Sequence, residues 1–226
     1  VTVAEDADTG GLGRGMHHMH TTRTPAGTLY EVDRRLRPNG NSGMLVSSLE
    51  AFEEYQKNAA WTWEHQALLR ARAVAGDPAV IEQFQRIRRE VLSRERDPEK
   101  LRADVREMRE KMRGSLDKSN GQQFDIKQGV GGIADIEFMV QYSVLRWAYK
   151  HPDLLDWTDN IRLLDSLARH CLFEGEVAEL LAENYRALRA VYHRKALSEL
   201  PGLVPEDELL REREAVQALW QRLMLA

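Results

Sequence analysis

The sequence contains almost no cysteine, and this limits the chemistry that the chain can carry. Cys171 is the single thiol among 226 residues, which excludes an internal disulfide framework and any site built from several thiolates of this chain. Because Cys171 follows an apolar helical pattern, we expect it to be a buried structural thiol. Such scarce cysteine is typical of a reducing compartment, and we therefore predict a cytoplasmic location.

Long apolar runs and an excess of basic charge are also absent from the sequence. No uninterrupted apolar stretch approaches the roughly 18 to 20 residues that a membrane span requires. The first residues show no basic region followed by an apolar core, so we expect no signal peptide. The net charge of −4 reflects 36 acidic against 32 basic residues. A global positive field that would attract nucleic acid is therefore lacking. We expect neither a membrane nor a nucleic acid as partner, and any site for a polyanion must be local.

The remaining composition, 42% hydrophobic and 30% charged residues, is that of an ordered globular protein. Residues 1–27 are rich in Gly, Thr, His and Asp, and we predict a flexible segment there. Residues 28–76 combine short strand patterns with helical ones, and residues 77–226 are almost entirely helical in pattern. The sequence thus predicts a mostly α, α+β fold, in which a small sheet precedes an antiparallel helical bundle.

The first candidate site is the stretch from Leu29 to Gly40. Its start has the alternation of a strand that ends at Asp33, and Met44–Ser48 is expected to form a second strand after a turn. Arg35 and Arg37 follow Asp33 closely. Guanidinium groups bind phosphate oxygens in pairs, and a carboxylate beside them suits Mg²⁺, which shares its remaining ligands with phosphate and water. The stretch therefore predicts a metal and phosphate site.

The second candidate site is the apolar helix predicted from Ile133 to Trp147, which carries Asp135 and Glu137. Two residues apart on a helix, these carboxylates diverge by about 200° and cannot bind one ion from the same face. Gly131 and Gly132 precede the helix and could expose backbone N–H groups to an anion. Alternatively, Asp135 caps the helix or pairs with an arginine of the preceding helix.

Two other polar or aromatic clusters are interpreted as structural. Trp61 and Trp63 are expected to pack inward from their helix. A run of basic residues that alternates with glutamates, namely Arg106, Arg109, Lys111 and Arg113, is typical of a solvated, salt-bridged helix face.

Several motifs occur in one order from about residue 21 to the C-terminus. They are Tyr30-Glu-Val-Asp-x-Arg-Leu-Arg-Pro-x-Gly40, Gly43-Met-Leu-Val-x-Ser48, Ala60-Trp-Thr-Trp-Glu-His-Gln-Ala-Leu68, Phe124-Asp-Ile-Lys127, Gly131-Gly-Ile-x-Asp-Ile-Glu-Phe138, Trp157-x-Asp-Asn160 and Leu197-x-Glu-Leu-Pro-Gly202. In combination they resemble the C-terminal, adenylylating half of the glutamine synthetase adenylyltransferases.

The resemblance implies a polymerase-β-like nucleotidyltransferase sheet, of which residues 28–76 are the C-terminal part, followed by the helical bundle of residues 77–226. It implies transfer of AMP from ATP to a tyrosine of glutamine synthetase, with Asp33 as the third catalytic carboxylate and Mg²⁺ as cofactor. Arg35 and Arg37 would bind phosphates, and Asp135 and Glu137 would lie near the cleft. A PII signal protein is an expected partner of the full-length enzyme.

The chain departs from this pattern before Asp33. The family has a Gly-Ser loop and an Asp-x-Asp pair there, whereas Asp6 and Asp8 have the spacing without the Gly-Ser or an apolar strand. We therefore expect a fragment with little activity in isolation. The alternative is a non-catalytic helical interaction module that binds glutamine synthetase or the remainder of the enzyme.

Overall fold

The computed structural model of the chain describes residues 2–4, 15, 18–23, 25, 27 and 46–225. The chain divides into two compact units, Val1–Val91 and Leu92–Ala226. The boundary between the two units, after Val91, falls inside the last turn of the helix Pro78–Leu92. The predicted domains, residues 1–27, 28–76 and 77–226, stay a prediction.

The first unit contains a short parallel strand pair. Strand β1 (Thr2–Ala4) pairs with β2 (Val46–Ser48), with Thr2 opposite Val46 and Ala4 opposite Ser48. The prediction of a flexible segment over residues 1–27 did not include β1, and most of that segment lies outside the described residues. The predicted strand Leu29–Asp33 also lies outside them. The strand predicted at Met44–Ser48 is described from Val46 onward, where it is confirmed.

Three helices follow β2 in the first unit: α1 (Leu49–Asn58), α2 (Thr62–Leu69) and α3 (Pro78–Leu92). Ser48 is of a residue type that commonly begins a helix, and its Oγ accepts a hydrogen bond from the N–H of Ala51 at 3.1 Å at the start of α1. Phe52 is buried, and its ring centroid lies 5.8 Å from that of Phe84. This aromatic contact joins α1 to α3 in the core of the unit.

Helix α2 is fixed by polar contacts rather than by its tryptophans. Glu64 is buried, and its carboxylate accepts hydrogen bonds from the Tyr55 hydroxyl and the Trp61 N–H, both at 2.9 Å. Arg88 of α3 closes the other end by donating to the carbonyls of Leu68 and Leu69. The prediction that Trp61 packs inward is wrong, since 70% of its surface is exposed.

The second unit is a bundle organised around one central helix. Its elements are α4 (Pro98–Leu116), β3 (Gln123–Asp125), α5 (Ile133–Trp147), a 3₁₀ turn (Pro152–Leu155), α6 (Asn160–Arg169), α7 (Gly175–Leu197), β4 (Leu203–Pro205), α8 (Leu210–Trp220) and a π-helical turn (Gln221–Leu225). Helix α5 packs against α4, α6, α7 and α8. Twelve of its 15 residues are buried, so the prediction of a central helix is confirmed.

Local side-chain caps account for the starts of two helices in this unit, α4 and α6. The side chain of Asp97 accepts from the N–H of Lys100 before α4, and that of Asp159 accepts from the N–H of Arg162 before α6. The apolar spacing of Leu209, Val216, Leu219 and Leu223 predicts a last helix from about Pro205, and this start is too early. Leu203–Pro205 instead forms a strand that pairs antiparallel with β3, and α8 starts at Leu210.

Cys171 also differs from its prediction. It is exposed and has a φ of 54° just after α6, a left-handed conformation of the kind that ends helices. The mostly α, α+β fold is confirmed. No described helix is both long and apolar enough to cross a bilayer.

Candidate functional site

The predicted metal and phosphate residues, Asp33, Arg35 and Arg37, lie outside the described residues, and their roles stay predictions. Within the described part of the chain, no three His, Cys, Asp or Glu side chains are grouped so that they could hold a metal ion. The other two predicted residues, Asp135 and Glu137, lie in α5 of the second unit.

Asp135 is the centre of a buried ionic network, with only 1% of its surface exposed. Its Oδ1 accepts hydrogen bonds from Nε of Arg109 at 2.6 Å and from Nη2 of Arg113 at 2.9 Å. Its Oδ2 accepts from the backbone N–H of Gly131 at 2.7 Å. A buried carboxylate needs such partners, because leaving it unpaired in a low dielectric is costly. The alternative prediction, that Asp135 pairs with an arginine of the preceding helix, is therefore confirmed.

Glu137 points to a different neighbour. Its Oε1 accepts a hydrogen bond of 3.2 Å from the hydroxyl of Tyr185 on α7, whereas Asp135 faces α4. The two carboxylates therefore do not converge on one ion, as their helical spacing predicts. The expected place of both residues near the active-site cleft stays a prediction.

Arg109 is the residue that sequence reasoning missed. It was assigned to a solvated face, yet it is fully buried. Its Nη2 donates to the Gln128 carbonyl at 2.7 Å, and its guanidinium lies 5.9 Å from the ring centroid of Phe138. A signal was present, because Arg109 continues the four-residue spacing of Leu101 and Val105 on the buried face of α4. The carboxylate that makes the burial of Arg109 possible belongs to Asp135, which is 26 residues away in the sequence.

The glycine-rich turn before α5 is a packing device. Gly131 has a φ of 78°, and a Cβ there would lie 2.4 Å from the carbonyl oxygen of Arg213. The N–H of Gly131 is bound by Asp135, and that of Gly132 by the carbonyl of Gly129. The next N–H group, from Ile133, donates to Ile126. The hypothesis that Gly131 and Gly132 expose their N–H groups to an anion is therefore wrong.

A pocket of about 220 Å³ lies beside this network, entirely within the second unit. Arg106, Glu110 and Arg113 of α4 form one wall, and the other is formed by Gln217 and Trp220 of α8 with Gln221 of the π-helical turn. Asp135 contributes to the lining, and Val130 and Leu225 add exposed apolar surface. The pocket thus combines guanidinium groups, amides and an indole ring, which are the groups that bind small polar molecules.

Comparison with known proteins agrees with the motifs. Residues 9–87 match the family described as Glutamate-ammonia ligase adenylyltransferase, and residues 99–221 match the family described as GlnD PII-uridylyltransferase. Two relatives are each described as a bifunctional glutamine synthetase adenylyltransferase/adenylyl-removing enzyme. The one from Hahella chejuensis is 52% identical over 216 residues, or 93% of this chain. The one from Nitrosococcus oceani is 54% identical over 213 residues, or 94% of this chain.

These matches cover 22% of the length of each relative, so the chain corresponds to about a fifth of those enzymes. The second family match spans residues 99–221 and thus most of the helical unit. The chain therefore belongs to the glutamine synthetase adenylyltransferase family, and its helical unit carries the domain described as GlnD PII-uridylyltransferase.

Proposed function

We propose that the enzyme containing this sequence transfers AMP from ATP to a tyrosine of glutamine synthetase and so regulates nitrogen assimilation. The observation that supports this function is the identity of 52% and 54% to two bifunctional adenylyltransferases over nearly the whole chain. The motif around Asp33 favours the adenylylating reaction over the adenylyl-removing one, because it resembles the adenylylating half of the family.

In the proposed reaction, the tyrosine oxygen forms a bond to the α-phosphorus of ATP. The bond from that phosphorus to the bridging oxygen breaks, and pyrophosphate leaves. Asp33 orients the attacking hydroxyl, whose proton passes to a carboxylate oxygen or to water, and Arg35 and Arg37 bind phosphate oxygens. Asp33 would also hold Mg²⁺, which neutralises charge on the triphosphate when bound.

The helical unit is proposed to shape the substrate surface rather than to supply reacting groups. The contacts that support this role are the buried ones of Asp135, which tie α4, α5 and the turn at Gly131 together. Such a network holds one arrangement of packed helices. A rigid unit of this kind suits a protein substrate, whose tyrosine must be presented in one orientation.

A chimera tests the function directly. This chain would replace the matching segment of the Nitrosococcus oceani relative, and transfer of label from α-³²P-ATP to glutamine synthetase would be measured with Mg²⁺. We expect the chimera to transfer AMP, and its Asp33→Asn variant to lose about a hundredfold or more in rate. Asp8→Asn is the matched control and should leave the rate unchanged. Undiminished transfer by Asp33→Asn would refute the assigned role of Asp33.

The second candidate function is a non-catalytic module that binds glutamine synthetase or the remainder of the enzyme. It is favoured by the compactness of residues 92–226, whose buried side chains form a core of their own. The same chimera separates the two functions. A chimera that binds glutamine synthetase in a sedimentation assay but transfers no AMP would support the module.

Two further properties belong to the proposal. A PII signal protein is proposed as a partner of the full-length enzyme, because the helical unit matches a family whose description names PII. The cytoplasm is proposed as the location, because ATP and glutamine synthetase are found there and the chain has a single cysteine.

A further inference from the structure

The pocket of the second unit contains two hydrogen-bond donor groups for which the described residues supply no acceptor. Arg106 is exposed and makes no ion pair or hydrogen bond to a described residue. Nε of Arg113 is buried and has no hydrogen-bond partner among the described residues, although Nη1 and Nη2 of Arg113 donate to Glu110 and Asp135. A buried donor without an acceptor is destabilising, so the site favours a guest that brings an acceptor oxygen.

The spacing of the donors places them on one wall. Arg106 and Arg113 are seven residues apart on α4, which is two helical turns, and both line the pocket with Glu110 between them. Oε1 of Glu110 already accepts a hydrogen bond from Arg113 at 2.6 Å, so part of the carboxylate's acceptor capacity is used within this wall. The guanidinium of Arg106 and Nε of Arg113 remain as donors on this wall, and donors favour an anion.

The charge and lining of the pocket determine which anion fits. Two arginines and two carboxylates line it, so their formal charges cancel, and a doubly charged phosphate would meet Glu110 and Asp135 at close range. A single negative charge is better matched. The opposite wall includes Trp220, which is 6% exposed, and the exposed apolar side chain of Leu225. These surfaces suit a short hydrocarbon group.

We propose that this pocket is a binding site for a small organic monocarboxylate, whose carboxylate accepts from Arg106 and from Nε of Arg113 and whose apolar part packs on Trp220. The amides of Gln217 and Gln221 lie on the same wall as the indole and would bind a further polar group. The volume of about 220 Å³ admits a ligand of roughly six to eight non-hydrogen atoms. This site goes beyond the proposed AMP transfer, since that reaction does not require it.

The test uses the complete chain and simple probes at constant ionic strength. Its five tryptophans give five indole N–H signals in a ¹⁵N correlation spectrum, and a Trp220→Phe variant assigns the signal of Trp220. Butyrate is the main probe, acetate the shorter one, and inorganic phosphate and n-butylammonium are the charge controls. We expect butyrate to shift the Trp220 signal saturably, with a dissociation constant on the order of millimolar.

Two comparisons of binding affinity, one between ligands and one between variants, test the inference quantitatively. Each methylene that enters the pocket should strengthen binding about fourfold, so butyrate, with two more methylenes, should bind roughly 15-fold more tightly than acetate. Arg106→Gln should weaken butyrate binding at least about tenfold, because it removes a charged donor. Arg211→Gln, which replaces an exposed arginine of α8 that does not line the pocket, is the matched control and should bind as the parent chain does.

Several results would overturn the inference. Binding of phosphate more tightly than butyrate would exclude the monocarboxylate class, and equal binding of n-butylammonium would exclude an anion site. The same affinity in Arg106→Gln and Arg211→Gln would show that Arg106 does not contact the ligand. A Trp220 signal that stays in place up to 100-fold above the expected millimolar range would leave the pocket as a water-filled space.

Discussion

Replacing Asp135 by asparagine probes the network on which the helical unit depends. The variant keeps the shape of the side chain but removes the charge that faces Arg109 and Arg113. Both Arg109 and Asp135 are buried, with exposures of 0% and 1% for their side chains. The guanidinium of Arg109 would therefore remain in the core without a carboxylate partner. Its Nε would face a neutral amide oxygen in place of Oδ1 of Asp135, which lies 2.6 Å away.

The expected loss in the free energy of unfolding is about 3 to 5 kcal/mol, the usual cost of removing one partner of a buried ion pair. For a unit of this size such a loss lowers the melting temperature by roughly 10 °C or more. Asp165→Asn is the matched control, since Asp165 pairs with Arg169 at 3.2 Å but both side chains are more than half exposed. Its expected cost is below about 1 kcal/mol.

The assay must separate the two units, because both contribute helix signal and tryptophan fluorescence. Hydrogen exchange read by mass spectrometry does so, since peptides from α5 report the second unit and peptides from α1 report the first. We expect Asp135→Asn to accelerate exchange in α5 and to leave α1 unchanged. The double variant Arg109→Met/Asp135→Asn should lose less stability than the sum of its single variants, because the fully buried guanidinium of Arg109 is removed with its carboxylate and Arg113 keeps Glu110 as a partner. A loss as small as that of Asp165→Asn would refute the reasoning.

Two further predictions concern the glycine turn and the surface of the first unit. In urea unfolding, Gly131→Ala should lower the free energy of unfolding by at least about 2 kcal/mol, because φ is 78° and the new Cβ would lie 2.4 Å from the carbonyl oxygen of Arg213. Gly114→Ala in α4, where a Cβ would meet no described atom within 4 Å, should raise it by about 0.5 to 1 kcal/mol. Equal effects of the two substitutions would contradict this prediction. Hydrogen bonds from Arg86 and Lys57 lower the pKa of Glu53 from 4.5 to about 2, so the folded state gains stability above pH 4.5 that is lost as the pH falls towards 2. Because this network is partly exposed, its contribution should stay below about 1 kcal/mol, and acid unfolding of Glu53→Gln should converge with that of the parent chain near pH 2.

Local sequence signals were sufficient for much of the fold. Ser48, Asp97 and Asp159 each accept a hydrogen bond from an N–H group in the helix that follows, so a few neighbouring residues are enough to start those helices. The helix from Ile133 to Trp147 was predicted with its observed bounds, because a segment that is apolar on all sides can only be stable when surrounded by other helices. The family was likewise readable from motifs whose order along the chain is part of the sequence.

The features that the sequence left open depend on residues far apart along the chain. Strands β3 and β4 are three residues each and about 80 positions apart, which is too short for a periodic pattern and too distant for a turn signal. Trp61 was expected inside, but its neighbour Glu64 is buried instead because Tyr55 and the backbone satisfy its carboxylate. Whether a polar or an aromatic side chain is buried is decided by its partners in space.

The arginines of α4 show this division most clearly. By itself the sequence indicated that residues 98–116 form a helix with alternating charges and that Arg109 shares the spacing of Leu101 and Val105, but it did not show which side chain would pair with a buried Arg109. The tertiary structure assigned them different environments: Arg109 is buried against Asp135, Arg113 is shared between Asp135 and Glu110, and Arg106 is exposed at the pocket. A charge can be buried only where another element supplies the opposite charge and the acceptors, and that is a property of packing rather than of composition.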